Sequence, residues 1–88
     1  MSGATTNDAS ALALRALAAS LADQRLAERF LSLSGIDPPD LRQRAGDPVL
    51  LAALLRFLEA HEPDLVAIAE ELGVKPDALV DARRELEQ

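Results

Sequence analysis

The stretch Asp47–Ala60, DPVLLAALLRFLEA, limits what this chain can fold into more than any other part of it. From Val49 to Leu58 only Arg56 is polar, so no helical face there is left for water. A helix apolar nearly all round belongs inside a protein. Asp47 suits the N-cap, and Pro48 suits the first helical position, whose N–H would go unpaired in any case. The stretch is shorter than the roughly 20 residues a bilayer requires. It is expected to be a central core helix, with Leu54 among its buried residues.

The 88 residues provide for one modest core and not two. Ala and Leu, both strong helix formers, supply most of the apolar half of the chain, while it has two Phe and no Trp or Tyr. An all-α fold follows. With no Cys there is no disulfide, thiolate nucleophile or thiolate metal site. The opening MSGATTNDAS has no basic segment, and Arg15 interrupts the apolar run behind it. Neither a secretory signal nor a membrane anchor is expected, and the cytoplasm is the expected compartment.

The net charge of −6 is unevenly placed. Through Ala45 the acids Asp8, Asp23, Glu28, Asp37 and Asp40 balance the bases Arg15, Arg25, Arg29, Arg42 and Arg44. All the excess negative charge lies from Gly46 onward. Such a field repels nucleic-acid phosphates and anionic membrane.

Residues 1–7 are small and polar and are expected to be disordered. Asp8 is placed to cap a first helix over 9–22, with Leu14, Leu17 and Leu21 at helical spacing and Ala on the flanks, so that it can lie close to the central helix. After Asp23 and Gln24 a second helix is expected over 25–33, burying Leu26, Phe30 and Leu33, with Gly35 as its left-handed end. Asp37 and Pro38 start a short third helix with Leu41 and Ala45 inward. Beyond the central helix, Pro63 starts a helix over 64–72 that buries Leu65, Ile68, Ala69 and Leu72. Gly73 ends it, and the last helix covers 76–86.

This order repeats at an offset of 38 residues. GIDPPDL (Gly35–Leu41) falls on GVKPDAL (Gly73–Leu79), the break at Asp23 on that at His61, and Phe30 on Ile68. The pattern predicts a compact bundle of about six short helices, as two tandem three-helix units, about 8–45 and 47–86. Each unit alone is too small to bury its apolar face, so residues 8–88 are expected to form a single domain with one shared core.

Chemistry-bearing patterns are sparse. The segment LVAIAEELGVKPDALVDARR (Leu65–Arg84) resembles a bacterial helix-turn-helix in its small, apolar and turn positions. Its reading helix would carry Asp77, Asp81 and Glu85 against Arg83 and Arg84, a poor surface for phosphates. Arg25, Arg29, Arg42 and Arg44 are the one basic grouping, candidates to receive carboxylates of a protein partner, or else a solvated face balanced by Glu28, Asp37 and Asp40. His61 has carboxylates nearby but no second His or Cys at ligand spacing, so it is expected at the end of the central helix rather than on a metal. No nucleophile elbow and no phosphate-cradling Gly loop is present. No catalytic residue, cofactor or metal is expected.

The segments ALALRALAASLAD, RFLSLSGIDPPDLRQRAGDP with VLLAALLRFL behind it, and LGVKPDALVDAR together resemble an alphaproteobacterial family known as domain of unknown function 3572. The resemblance spans Ala11–Leu86. It departs at Asp23–Gln24, where the family often has Asp–Pro. It implies a helical, cytoplasmic bacterial protein and carries no activity with it. The expected function is a non-enzymatic protein–protein interaction module, monomeric or homodimeric, with DNA binding through residues 65–86 as the alternative.

Overall fold

The computed structural model describes residues 3–88, with side chains from Asp8 onward. Six helices follow one another: α1 (Gly3–Ala22), α2 (Gln24–Ser34), α3 (Pro38–Gln43), α4 (Pro48–Glu59), α5 (Glu62–Leu72) and α6 (Pro76–Leu86). Among the described residues there is no strand, and the fold is an all-α bundle.

Local chemistry sets the boundaries. The Asp23 carboxylate accepts from the backbone N–H groups of Arg25 (3.0 Å) and Leu26 (3.2 Å), and so caps α2. Asp47 accepts from Val49 N–H at 2.9 Å and starts α4 in the same way. Asp37 occupies the N-cap of α3 but makes no capping bond with its side chain. Pro38 and Pro39 fill the first two helical positions and remove an N–H it would take. Gly35 and Gly73 end α2 and α5 with φ of 70° and 74°, where a Cβ would strain the backbone.

Two starts differ from expectation. Asp8 is inside α1 and not at its cap, because nothing between Gly3 and Asp8 interrupts the backbone. The disorder expected of residues 1–7 falls on Met1 and Ser2, which lie outside the described residues, and on Gly3–Asn7, whose backbone continues α1. In α5 the N-cap is His61, so Pro63 stands second in the helix rather than opening it. His61 thus stands just beyond the end of the central helix, as expected, with its N–H on the Leu58 carbonyl at 3.1 Å, and is also the N-cap of α5.

Around α4 one hydrophobic cluster draws on every helix. Leu50, Leu51, Leu54, Leu55 and Leu58 are buried to 1 % exposure or less, each with a burial worth about 1.5–3 kcal/mol. α6 lies against both α1 and α4, α5 touches both as well, and α1 lies against α4. α3 makes no comparable contact with another helix; only its Leu41 is buried. The Cα radius of gyration, 12.1 Å, is that of a compact chain of this length, about 12 Å.

The expected faces need three corrections. α1 buries Ala9, Ala13, Ala16, Leu17, Ala19 and Ser20, while Leu14 is 46 % exposed: small residues face the neighbours because α1 lies close to α4 and α6. On α2, Leu26 and Phe30 are buried but Leu33 is 74 % exposed, since no helix covers the last turn on that side. α4 keeps an open edge, Val49, Ala53 and Arg56, with Phe57 half-buried beside it; no neighbouring helix covers that edge.

The helix bounds recur at the 38-residue spacing. α2 and α5 coincide at both ends, α3 and α6 coincide at their starts, and both left-handed glycines match. Packing does not repeat: α6 has eleven residues and sits against α1 and α4, while α3 has six and stays at the periphery.

Candidate functional site

The arginines singled out from the sequence do not form one patch. Arg25 and Arg29, one turn apart on α2, both reach Asp64 on α5. Arg25 Nη2 donates to Oδ1 and Arg29 Nη1 to Oδ2, each at 3.1 Å. The Asp64 side chain is only 5 % exposed, whereas the Arg25 side chain that holds it is mostly in water and that of Arg29 is partly so. His61, four positions ahead of Leu65 at the α5 N-cap, completes the cluster with Nδ1 at 2.7 Å from Asp64 Oδ2. A carboxylate only accepts, so Nδ1 carries the proton. Burial pushes the Asp64 carboxyl up, but the hydrogen bonds from His61 and Arg25 outweigh it and hold the carboxyl below its ordinary range.

Arg44 pairs with Asp47 at 3.7 Å, across the turn into α4. Arg42 is exposed on α3 and lines a groove against α1. Glu28, Asp37 and Asp40 were the carboxylates expected to balance the four arginines as a group; the one that pairs with Arg25 and Arg29 is Asp64. It lies 35 and 39 residues away in sequence, and only the fold brings the start of α5 within reach of the two arginine side chains of α2. Its apolar neighbours gave a hint, because Asp64 matches buried Leu26 at the 38-residue offset.

Two surfaces are apolar and open. The first runs along the edge of α4. Leu33 (74 % exposed) and Val49 (71 % exposed) lie at its two ends, with Ala53 and Phe57 between. Phe57 is held edge-on against buried Phe30, ring centroids 5.4 Å apart at 61°, and the Arg29 guanidinium lies 5.4 Å from its ring centroid. Arg56 crosses the middle and is tied to Glu87 through Nη2–H···Oε1 at 2.9 Å. That bond holds the Glu87 carboxyl below its ordinary range and raises the Arg56 guanidinium. Arg83 joins in, donating to Glu59 at 2.6 Å and to Glu87 at 2.8 Å, so the end of α6 is fastened to α4.

The second surface is the groove between α1 and α3, about 270 Å³, lined by Leu14, Leu17, Ala18, Leu21, Leu41 and Arg42 among others. Sequence reasoning missed the α4 edge, because it consists of leucine, valine and alanine at spacings that equally suit burial, whereas surplus apolar surface on the first helix was an alternative the sequence offered.

Among the described residues no group of three or more His, Asp or Glu side chains is placed to hold a metal ion. No helix is long and apolar enough to cross a membrane. The open face of α6 shows Asp77, Asp81 and Arg84, with Leu79 and Ala82 turned into the core. The chain matches no curated protein and no solved structure. A sequence family does match, over residues 6–88 and so over nearly all of the chain, and the protein belongs to that family, described as protein of unknown function (DUF3572).

Proposed function

We propose that this protein is a non-enzymatic interaction module that receives a protein partner on the open edge of α4. The observation that carries the reading is the exposed run Leu33–Phe57–Ala53–Val49, which joins two helices and is crossed by Arg56. Single exposed leucines are ordinary, but a contiguous apolar run is the mark of a surface that something covers. Phe57 is held rigid by Phe30 and Arg29, so ordering it on binding costs little side-chain entropy. Arg25 and Arg29 keep N–H groups beyond those on Asp64, which suits a partner segment with apolar side chains beside a carboxylate.

Affinity recovery from the native cell extract, full chain against Leu33→Glu and Val49→Glu, tests the reading. Both residues are exposed, so both variants keep the fold. A protein retained by the full chain and lost from each variant is the expected result; retention unchanged in both would end the proposal.

DNA binding through residues 65–86 has in its favour the helix–turn–helix order of α5, Gly73 and α6. Against it, α6 lies between α1 and α4 and turns two carboxylates and one guanidinium outward. Phosphate contacts need unpaired Lys and Arg, and Arg83 is engaged by Glu59 and Glu87. A salt-dependent shift of duplex DNA at low micromolar protein would favour it over the first reading.

A further inference from the structure

Building on the α4 reading, we propose that the partner received there is an acidic amphipathic helix. Its apolar face lies on Leu33, Phe57, Ala53 and Val49, and its carboxylates are taken by Arg25 and Arg29. Three shallow hollows run into one another on this side. Arg25 and Arg29 line the first with Leu33, Leu33 and Phe57 line the second with Ala53, and Ala53 lines the third with Val49. Leu33 is common to the first two and Ala53 to the last two, so guanidiniums and apolar side chains belong to one continuous surface.

Backbone chemistry favours a helix as the occupant. The surface is made from the sides of α2 and α4, whose backbone N–H and C=O groups are paired within the helices except at their ends. An extended segment laid along it would press its own backbone groups on apolar side chains that offer them nothing, which is costly. A helix satisfies its own backbone and sets side chains along one face to meet a helical row. Val49, Ala53 and Phe57 stand four residues apart on α4, a row about 12 Å long, which two turns of a docked helix cover.

Charge selects an acidic one. Arg25 and Arg29 each give one nitrogen to Asp64, so two positive charges share a single buried carboxylate and N–H groups remain on both. Glu28 is the one carboxylate lining their hollow, and its Oε2 accepts from the Gln24 amide at 3.1 Å. Arg56, in the middle of the run, is already taken by Glu87. The donors left over therefore lie at the α2 end, one and two turns along that helix from Leu33, and a carboxylate is the group a guanidinium fork fits. A lysine at the same place would meet like charge.

Fluorescence anisotropy with the full chain tests the inference. The probes are three labelled, Ala-rich peptides of about 16 residues, long enough to be helical in water. Each carries leucines along one face and, one turn beyond them, a pair of Glu, of Gln or of Lys. The expected order of affinity is Glu, Gln, Lys, with about tenfold between first and last and a narrower gap at high salt. Asp64→Leu combined with Arg25→Gln and Arg29→Gln leaves no buried carboxylate unpaired, so helical circular dichroism stays and the order should vanish. Leu33→Glu should weaken all three. Equal binding of the three by the full chain overturns the acidic partner and leaves the α4 reading standing, as does an order that persists in the triple variant. Binding undiminished by a central proline in the Glu peptide overturns the helix. No binding of any peptide at about millimolar concentration overturns the inference, while recovery with Leu33→Glu and Val49→Glu decides the α4 reading separately. A chain of twice 9.4 kDa by light scattering, which falls to single mass in Val49→Glu, puts a second copy on the edge and overturns it too.

Discussion

Ser20 is 1 % exposed on α1, and its hydroxyl has no hydrogen-bond partner among the described residues. A buried donor left unmade is a penalty the fold carries, and the residue 38 positions on is Leu58, buried and apolar. Ser20→Ala should raise stability by about 1 kcal/mol, read as a rise of about 4–8 °C in the melting temperature. Asp64 is the opposite case, a buried carboxylate whose lone pairs are met by Arg25, Arg29 and His61. Because its folded-state carboxyl is held below the ordinary range, it contributes stability that is present above about pH 4 and is lost as the pH falls through the depressed value. Denaturant midpoints measured from neutral pH down to pH 3 should show that loss, and Asp64→Leu should flatten it. Arg25→Glu with Arg29→Glu should destabilise, by less than the roughly 3–5 kcal/mol of a fully buried pair, since it leaves the buried Asp64 carboxylate with His61 alone. Asp64→Leu should be neutral or stabilising, because the arginines it releases are already mostly or partly in water.

The glycines that end α2 and α5 allow a measurement on whole elements. A Cβ built at Gly35 or Gly73 meets nothing within 4 Å, so substitution there is opposed only by backbone conformation. Gly35→Ala and Gly73→Ala should each cost about 1–2 kcal/mol, and nearly the same amount as each other, in urea unfolding. A much larger loss at Gly73 would mean that the α5–α6 corner bears on packing in a way the α2–α3 corner does not. For α4, Leu54→Ala should cost about 2–5 kcal/mol, whereas Leu54→Asp should leave no folded protein by circular dichroism. Val49→Ala, at the open end of the same helix, should change the melting point little.

For the whole molecule the decisive contact is α6 against α1 and α4 together. It ties the end of the chain to its beginning, and the Arg83–Glu59 and Arg56–Glu87 pairs fasten the last residues to α4. A fragment of residues 47–88 keeps α4, α5 and α6 but strips α1 from them, exposing Leu50–Leu58 and Leu79 to water. It should show little cooperative melting by circular dichroism alone, and should regain it on mixing with residues 1–46. The exposed ion pairs at the α6 end contribute little individually, so Glu87→Gln should lower the melting point only slightly, and less at high salt.

Helix existence was legible throughout this sequence because its signals are local. Asp23 and Asp47 cap the segment they stand before, Gly35 and Gly73 end the segment they follow, and the Leu50–Leu58 run has few places to go but inside. None of that information depends on where another helix lies. Which side of each helix is covered does depend on it. Leu33, Val49 and Leu14 have the same chemistry as their buried neighbours, and they stay open only because no other helix covers them. The partner of Arg25 and Arg29 was equally hidden, since a carboxylate 35 residues away comes within their reach only once the bundle has formed. Sequence spoke for short-range hydrogen bonding and backbone conformation; burial and pairing, which act across the bundle, belonged to the tertiary structure.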